Sequence, residues 1–291
     1  MTTLAPDFDA LWNFGDPAGT ESQFRDLQEA SATWDVGPRA ELLTQIARTY
    51  SLRREFETAH TLLDEAVGLL SGSDRPRARV RVLLERGRCH NSAKQKDRAI
   101  PIFIQAWELG REAGEDGLAV DAAHMVAIAE TDQAAVDWNL QALALAGTSP
   151  DPKAQKWVGS LQNNLGWAYH ARGEFETALD YFERNVAWHT ARKSDEPLTV
   201  AKWCVARAQR SLGRLEEALA GQQALAAELA AAGKPEDGYG AEEQAECLEA
   251  LGRHAEAVPH FARAYRLLAQ DKWLPGDEPD RLARLKALGE A

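Results

Sequence analysis

Seven histidines, three cysteines and 45 carboxylates are the residues of this 291-residue chain that could do chemistry. Metal or acid–base work needs such groups converging at set spacing. No H-E-x-x-H, C-x-x-C, G-x-S-x-G or Walker-type loop occurs. His254 and His260 lie six residues apart, which puts them on different faces of a helix, so no shared metal ion is expected. The remaining histidines read as solvated or capping groups. Glu242, Glu243, Glu246 and Glu249 crowd one stretch, but carboxylates without a common pocket form a solvated face. Cys89, Cys204 and Cys247 are odd in number and far apart, so a disulfide framework is not expected and a reducing cytoplasm is. No catalytic residue, cofactor or metal is assigned, and the chain is not expected to be an enzyme.

The elements that carry these residues are helical. Ala, Leu, Glu, Arg and Gln, all strong helix formers, dominate many windows. With 33 basic against 45 acidic residues, the net charge of −12 disfavours attraction to nucleic acid or an anionic membrane. No run of about 18 apolar residues occurs, so no spanning helix is expected. Met1 to Leu11 has neither the basic nor the apolar region of a signal peptide.

The helices repeat. The clearest copy is Leu165-Gly166-Trp167-Ala168-Tyr169, then Gly173-Glu174-Phe175, then Ala178 and Phe182. An alanine that opens a second helix recurs as Ala59, Ala99, Ala135, Ala178, Ala218 and Ala257, at spacings of 40, 36, 43, 40 and 39. A small residue in the middle of each first helix recurs as Ala47, Gly87, Ala123, Gly166, Ala206 and Ala245. Small residues let two helix backbones cross closely. Phe103, Phe182 and Phe261 fall one turn after the frame alanine, with Leu63 in the first copy and Asn139 and Gln222 as departures. Gly173, Gly213 and Gly252 fit the turn within a pair. Cys89 and Cys247 share one frame position and read as buried structural thiols; Cys204 lies nearer the edge of the expected groove.

This pattern resembles the tetratricopeptide repeat, with repeats longer than the usual 34 or so residues. The longer repeat is similar to that of kinesin light chains and spindle-orientation adaptors. Gln162 stands where the family often has Trp, and Asn185 where it usually has Ala. The segments Trp12 to Pro17, Asp137 to Asn139 and Asn163 to Trp167 also look like a group of bacterial repeat proteins, a likeness that carries no mechanism. The resemblance implies an all-α fold, an α-α superhelix: a right-handed solenoid of about six helix pairs with capping helices at both ends. Residues 1–36 are expected to hold a mostly extended segment, with Leu11, Trp12 and Phe14 pinned to the body. A capping helix begun by a capping box at Thr20 to Gln23 follows. Residues 37–272 hold the six pairs, and residues 273–291 a polar last helix from Pro279 to Leu288 that covers the end of the stack.

In the family the first helix of each pair lines a concave groove. Positions three before, one after and four after the small residue are expected to face it. Nine such residues form the expected peptide-binding set: Arg48, Arg88, His124, Asn163, Trp167, His170, Trp203, Arg207 and Arg210. Arginine suits bidentate binding of carboxylates, and large aromatics anchor interfaces. The C-terminal end of the groove turns acidic at Glu242, Glu246 and Glu249. The leading expectation is a cytoplasmic scaffold that holds a protein or peptide partner, an acidic segment by charge, in this groove. A ligand- or peptide-sensing regulator is the second reading. A self-assembling subunit, a homo-oligomer stacked through its terminal repeats, is the third.

Overall fold

The computed structural model describes residues 4–271 and 274–291. The expected extension of Met1–Thr3, and the boundary expected at 272/273, lie outside them. The chain divides into two compact units, residues 1–161 and 162–291. Among the described residues every regular element is a helix, and none is long and apolar enough to cross a membrane.

The first unit opens with a 3-10 turn, Phe8–Leu11, followed by α1 (Pro17–Asp26) and the short α2 (Gln28–Ser31). Three helical hairpins follow: α3 (Val36–Leu52) with α4 (Phe56–Leu69), α5 (Pro76–Ser92) with α6 (Lys96–Glu112), and α7 (Asp116–Ala129) with α8 (Asp132–Thr148). The short α9 is Pro152–Gln155, and α10 (Val158–Ala171) runs across the division. The second unit continues with α11 (Phe175–Arg192) and two hairpins, α12 (Asp195–Ser211) with α13 (Leu215–Ala231) and α14 (Gly238–Ala250) with α15 (His254–Leu268). It closes with α16 (Leu274–Asp277) and α17 (Pro279–Gly289). Helices pack consecutively on their neighbours, and first helices also touch the next first helix, α3 on α5, α5 on α7 and α12 on α14. At the ends, α1 lies against α3 and α17 against α15.

The column of small residues explains this packing. Ala47, Ala123 and Ala245 have no exposed surface, and Ala206 almost none. A Cβ on Gly87 would stand 2.4 Å from Phe103 Cε1, and one on Gly166 2.3 Å from Phe182 Cε1. The frame phenylalanine therefore lies directly on the small residue of its partner helix. Phe103, Phe182 and Phe261 are fully buried or nearly so, as is Leu63 in the first copy. The two departures are buried as well. Asn139 Nδ2 donates to the Ala135 carbonyl and Gln222 Nε2 to that of Trp203, while Asn139 Oδ1 and Gln222 Oε1 have no partner.

Hairpin turns follow a second column. The residue five before the frame alanine has positive φ as Arg54, Lys94, Gly173, Gly213 and Gly252. Glycine removes the Cβ penalty of that left-handed conformation, and Arg54 and Lys94 bear it.

The N-terminal segment differs from the expected one. The first helix starts at Pro17, not at Thr20. Asp16 caps it through Gly19 N, and Pro17 takes the first turn, where its missing N–H costs nothing. Thr20 sits inside the helix and bonds back to the Asp16 and Asn13 carbonyls. The Phe8–Leu11 turn interrupts the expected extension because Phe8 enters a core with Phe24, Trp34, Leu42 and Ile46.

The close crossing generates an opposed pair of outcomes. Gly87→Ala is expected to cost roughly 1–3 kcal/mol, because the methyl group displaces Phe103. Gly221→Ala, inside α13 with its nearest neighbour at 3.6 Å, is expected to gain about 0.5–1 kcal/mol from helix propensity. Urea unfolding of the two variants checks both signs, and equal effects would mean the crossing is not tight.

Candidate functional site

The first unit holds a recess of about 410 Å³. Its lining comes from the N-terminal segment (Asp9, Trp12, Phe14), from α3, α5 and α7, and from the residues around α9 (Asp151, Lys153, Lys156, Trp157, Ser160). Charges cross it in a ladder between successive first helices. Arg77 and Arg81 on α5 reach Glu41 on α3 at 3.3 and 2.9 Å. Arg48 Nη1 on α3 donates to Glu85 Oε1 on α5 at 3.1 Å. Arg88 Nη1 donates to the same oxygen at 2.6 Å, and its Nη2 bridges both Asp121 oxygens at 2.6 and 2.7 Å.

This ladder is largely dry: the side chains of Glu85, Arg88 and Asp121 are only 4%, 13% and 15% exposed. Burial opposes both charges of the Arg88–Asp121 pair. Their mutual attraction outweighs it, raising the pKa of Arg88 and lowering that of Asp121. His124 stacks at a tilt on Trp157, 4.9 Å between centroids. Burial holds its pKa below the usual 6.5 even though Asp121 pulls the other way.

The N-terminal segment closes one side. Asp9 accepts from Arg81 Nη2 at 3.1 Å and from Lys153 Nζ at 3.1 Å. Burial alone would raise its pKa, but these two cations hold it at about 2. Trp12 Nε1 donates to Gln45 Oε1 at 2.7 Å and stacks on Phe14, with ring centroids 4.9 Å apart. The Arg48 guanidinium lies over both rings, 5.6 and 5.3 Å from their centroids.

The second unit gathers the other expected residues. Trp167 meets His170, Phe182 and Trp203 at centroid distances of 5.2, 5.2 and 6.0 Å. Arg210 binds Glu243 through two hydrogen bonds of 2.7 and 3.0 Å, and Arg207 approaches the same carboxylate at 3.3 Å. Asn163 Oδ1 accepts weakly from Cys204 Sγ at 3.6 Å. His170 Nε2 and Ser211 Oγ lie 2.9 Å apart. Ser211 Oγ also accepts from Arg207 Nη1 at 2.6 Å and lies 3.2 Å from the Arg207 carbonyl, within reach of donating to it. Burial pushes the Cys204 thiol up to about 12 and Cys247 to about 11, and raises Cys89 too, so none has the thiolate character of a nucleophile. Among the described residues no group of three or more His, Cys, Asp or Glu could hold a metal ion.

The nine expected residues thus fall into two sets. Arg48 and Arg88 line the recess of the first unit, with His124 against its Trp157 wall. The other six belong to the second unit. All four arginines already meet carboxylates of their own chain. Their partners Glu85, Asp121 and Glu243 were not in the expected set. Each stands two residues before a small frame residue, Gly87, Ala123 and Ala245, so the ladder rule could have been found by reading that column against the arginine column of the preceding copy. Trp12, Trp157 and Lys153 carry no repeat signal and emerge only from folding of the segments between and before the hairpins.

Arg88→Met is expected to cost about 3–5 kcal/mol, since it leaves buried carboxylates without their main partner. Arg207→Met is expected to cost about 1 kcal/mol or less, because Glu243 keeps its two bonds to Arg210. Chemical denaturation of the two variants separates them.

Stability should also fall in acid in two stages. Burial lowers the pKa of His60, His124, His170, His189 and His260 below 6.5 in the folded chain. Protons then bind the unfolded chain more readily. The stability these groups give is complete above pH 6.5 and is lost as pH falls through their folded values. Asp9 and Glu21, held at about 2 against ordinary values of 3.8 and 4.5, lose theirs at lower pH, as it drops toward 2. Melting curves from pH 8 to pH 3 should be flat above neutrality and decline first below pH 6.5; a flat profile down to pH 5 would contradict the burial of the histidines.

Residues 158–188 match the family model of the tetratricopeptide repeat. Among solved structures, the chain is similar to a signal-transduction ATPase with numerous domains that has a tetratricopeptide repeat sensor, from Pyrococcus horikoshii. The TM-score is 0.73 at 16% identity, over 96% of this chain and 44% of that one. The chain thus spans less than half the length of that protein. It is also similar to the apo form of the quorum sensor NprR from B. thuringiensis, with a TM-score of 0.62 at 15% identity, over 97% of this chain and 79% of the other. A structure of NprR in complex with its cognate peptide NprX matches at 0.52 and 16% identity, over 97% and 81%. No curated protein sequence matches. Residues 158–188 are a tetratricopeptide repeat, and the chain as a whole shares the fold of tetratricopeptide-repeat proteins.

Proposed function

We propose that this chain binds an extended peptide segment in the recess of the first unit and acts through that binding, as a scaffold for a partner protein or as a peptide-responsive regulator. The observation that carries the reading is the recess itself. Its volume of about 410 Å³ is within the range of ligand sites, and aromatic side chains from two separate stretches, Trp12 with Phe14 and Trp157, line it beside a preorganised charge ladder. Rigid aromatics beside fixed hydrogen-bonding groups suit an extended chain, which offers side chains and amides together. The likeness of fold to a quorum sensor solved with its cognate peptide supports the same reading.

The paired arginines bear on what the peptide carries. An acidic side chain would have to compete with Glu85, Asp121 or Glu243 for Arg48, Arg88, Arg207 or Arg210. Charge attraction alone is therefore a weaker driver than the arginine count suggests. In the second unit, Trp167, Trp203 and His170 offer a further aromatic contact surface for a protein partner.

Panning a random peptide library against the purified chain tests this. Peptides should enrich, and Trp157→Ala, checked for folding by circular dichroism, should weaken the enriched peptides by about tenfold or more. Glu65→Lys, on the exposed side of α4 away from the recess, should bind them as the unmodified chain does. If nothing enriches, or if Glu65→Lys and not Trp157→Ala loses binding, the recess is not the site.

A further inference from the structure

Three polar atoms of residues lining the recess are buried without a hydrogen-bond partner. Arg81 Nε lies 2.9 Å from the Glu41 carboxylate in an ion pair, which leaves Glu85 Oε2 and Arg48 Nε. They belong to the two ends of one ion pair, joined through Arg48 Nη1 and Glu85 Oε1 at 3.1 Å. The Glu85 side chain is 4% exposed, so it does not recover a partner from bulk solvent. An acceptor on one residue of the pair and a donor on the other thus stand unused in a recess with aromatic walls.

The charge around them selects what can use them. Arg48, Arg88, Glu85 and Asp121 sum to zero. An ammonium brought to Glu85 would meet two guanidiniums, and a carboxylate brought to Arg48 would meet Glu85 at once. A group with one donor, one acceptor and no net charge meets neither penalty. The Arg48 guanidinium carbon lies 5.6 and 5.3 Å from the Trp12 and Phe14 ring centroids, so aromatic surface adjoins the unused donor.

We infer that Glu85 and Arg48 read the uncharged main chain of the bound peptide, through the N–H and C=O of one residue, which point to the same side of an extended segment. A ligand N–H donates to Glu85 Oε2, and a ligand carbonyl accepts from Arg48 Nε. The apolar side chains of the ligand lie against Trp12, Phe14 and Trp157. The inference rests on the peptide-binding reading above and deepens it: the recess selects uncharged segments, held by their backbone, over acidic ones. A side-chain carboxamide offers the same chemistry, but an extended segment presents main-chain amides at every residue, so the main chain is the source assigned.

Calorimetric titration with N-acetylated, C-amidated tetrapeptides of Ala, Leu, Phe and Ser tests this on the unmodified chain. Each main-chain amide is N-methylated in turn, and further sets carry Gln or Asp in place of Ser. Binding of the uncharged set is expected, with Kd changing less than about twofold between about 50 and 300 mM salt, because exposed charge pairing is screened over that range and amide bonding is not. One N-methylated position should weaken binding about tenfold, since it strands a charged buried acceptor. Glu85→Gln removes the anion between Arg48 and Arg88, so it should turn the preference toward the Asp set. Three results each overturn the inference while peptide binding stands: every N-methylated peptide binds unchanged, only Gln-bearing peptides bind, or the Asp set binds tighter with steep salt dependence. If no peptide binds, the peptide-binding reading falls and the inference with it. The N-methyl and salt measurements need no variant, so a poorly folded Glu85→Gln leaves the test intact.

Discussion

The fold depends on one kind of contact made again and again: a side chain of one helix laid on a partner residue too small to hold it off, a phenylalanine ring in three of the six copies. Phe103 over Gly87 and Phe182 over Gly166 bring two backbones closer than any larger side chain would allow. That approach sets the pitch of each hairpin, and the pitch sets the distance between successive first helices. The polar ladder follows from it. Arg48 reaches Glu85, and Arg88 reaches Asp121, because α3 packs beside α5 and α5 beside α7. Apolar packing thus supplies the spacing, and electrostatics uses it.

The ladder changes the meaning of the basic residues. Counted along the sequence, Arg48, Arg88, Arg207 and Arg210 look like surplus positive charge in a chain of net charge −12. In the fold each is already matched, and several of the carboxylates matching them are among the least exposed in the molecule. What such a surface offers a visitor is geometry more than field: fixed donors and acceptors in a dry setting, where hydrogen bonds are strong and mismatches are penalised.

Much of the fold was legible in the sequence because its determinants are periodic. The small residues, the frame alanines and Phe103, Phe182 and Phe261 recur at spacings the eye can find, and each maps onto a buried contact. Turn glycines were legible for the same reason, whereas Arg54 and Lys94 hid two equivalent turns because residue type conceals backbone conformation. The helix start at Pro17 was missed because Thr20 and Gln23 imitate a cap that Asp16 supplies. The site was only half legible. Its arginines lie in the repeat, but Trp12, Trp157 and Lys153 come from segments without a period. Pairing is a relation between copies, invisible when each column is read alone.

Asn139 and Gln222 have a consequence of another kind. A stack in which every hairpin presented the same ring to the same hollow would have interchangeable joints, and any hairpin could settle against any other. These two carboxamides spoil that equivalence. Gln222 hands its amide proton to the backbone of α12 at Trp203, and Asn139 keeps its own within α8. Each leaves a carbonyl oxygen unpaid for in the interior. These two joints are therefore chemically unlike the ones a ring fills, where no polar atom has to be accommodated.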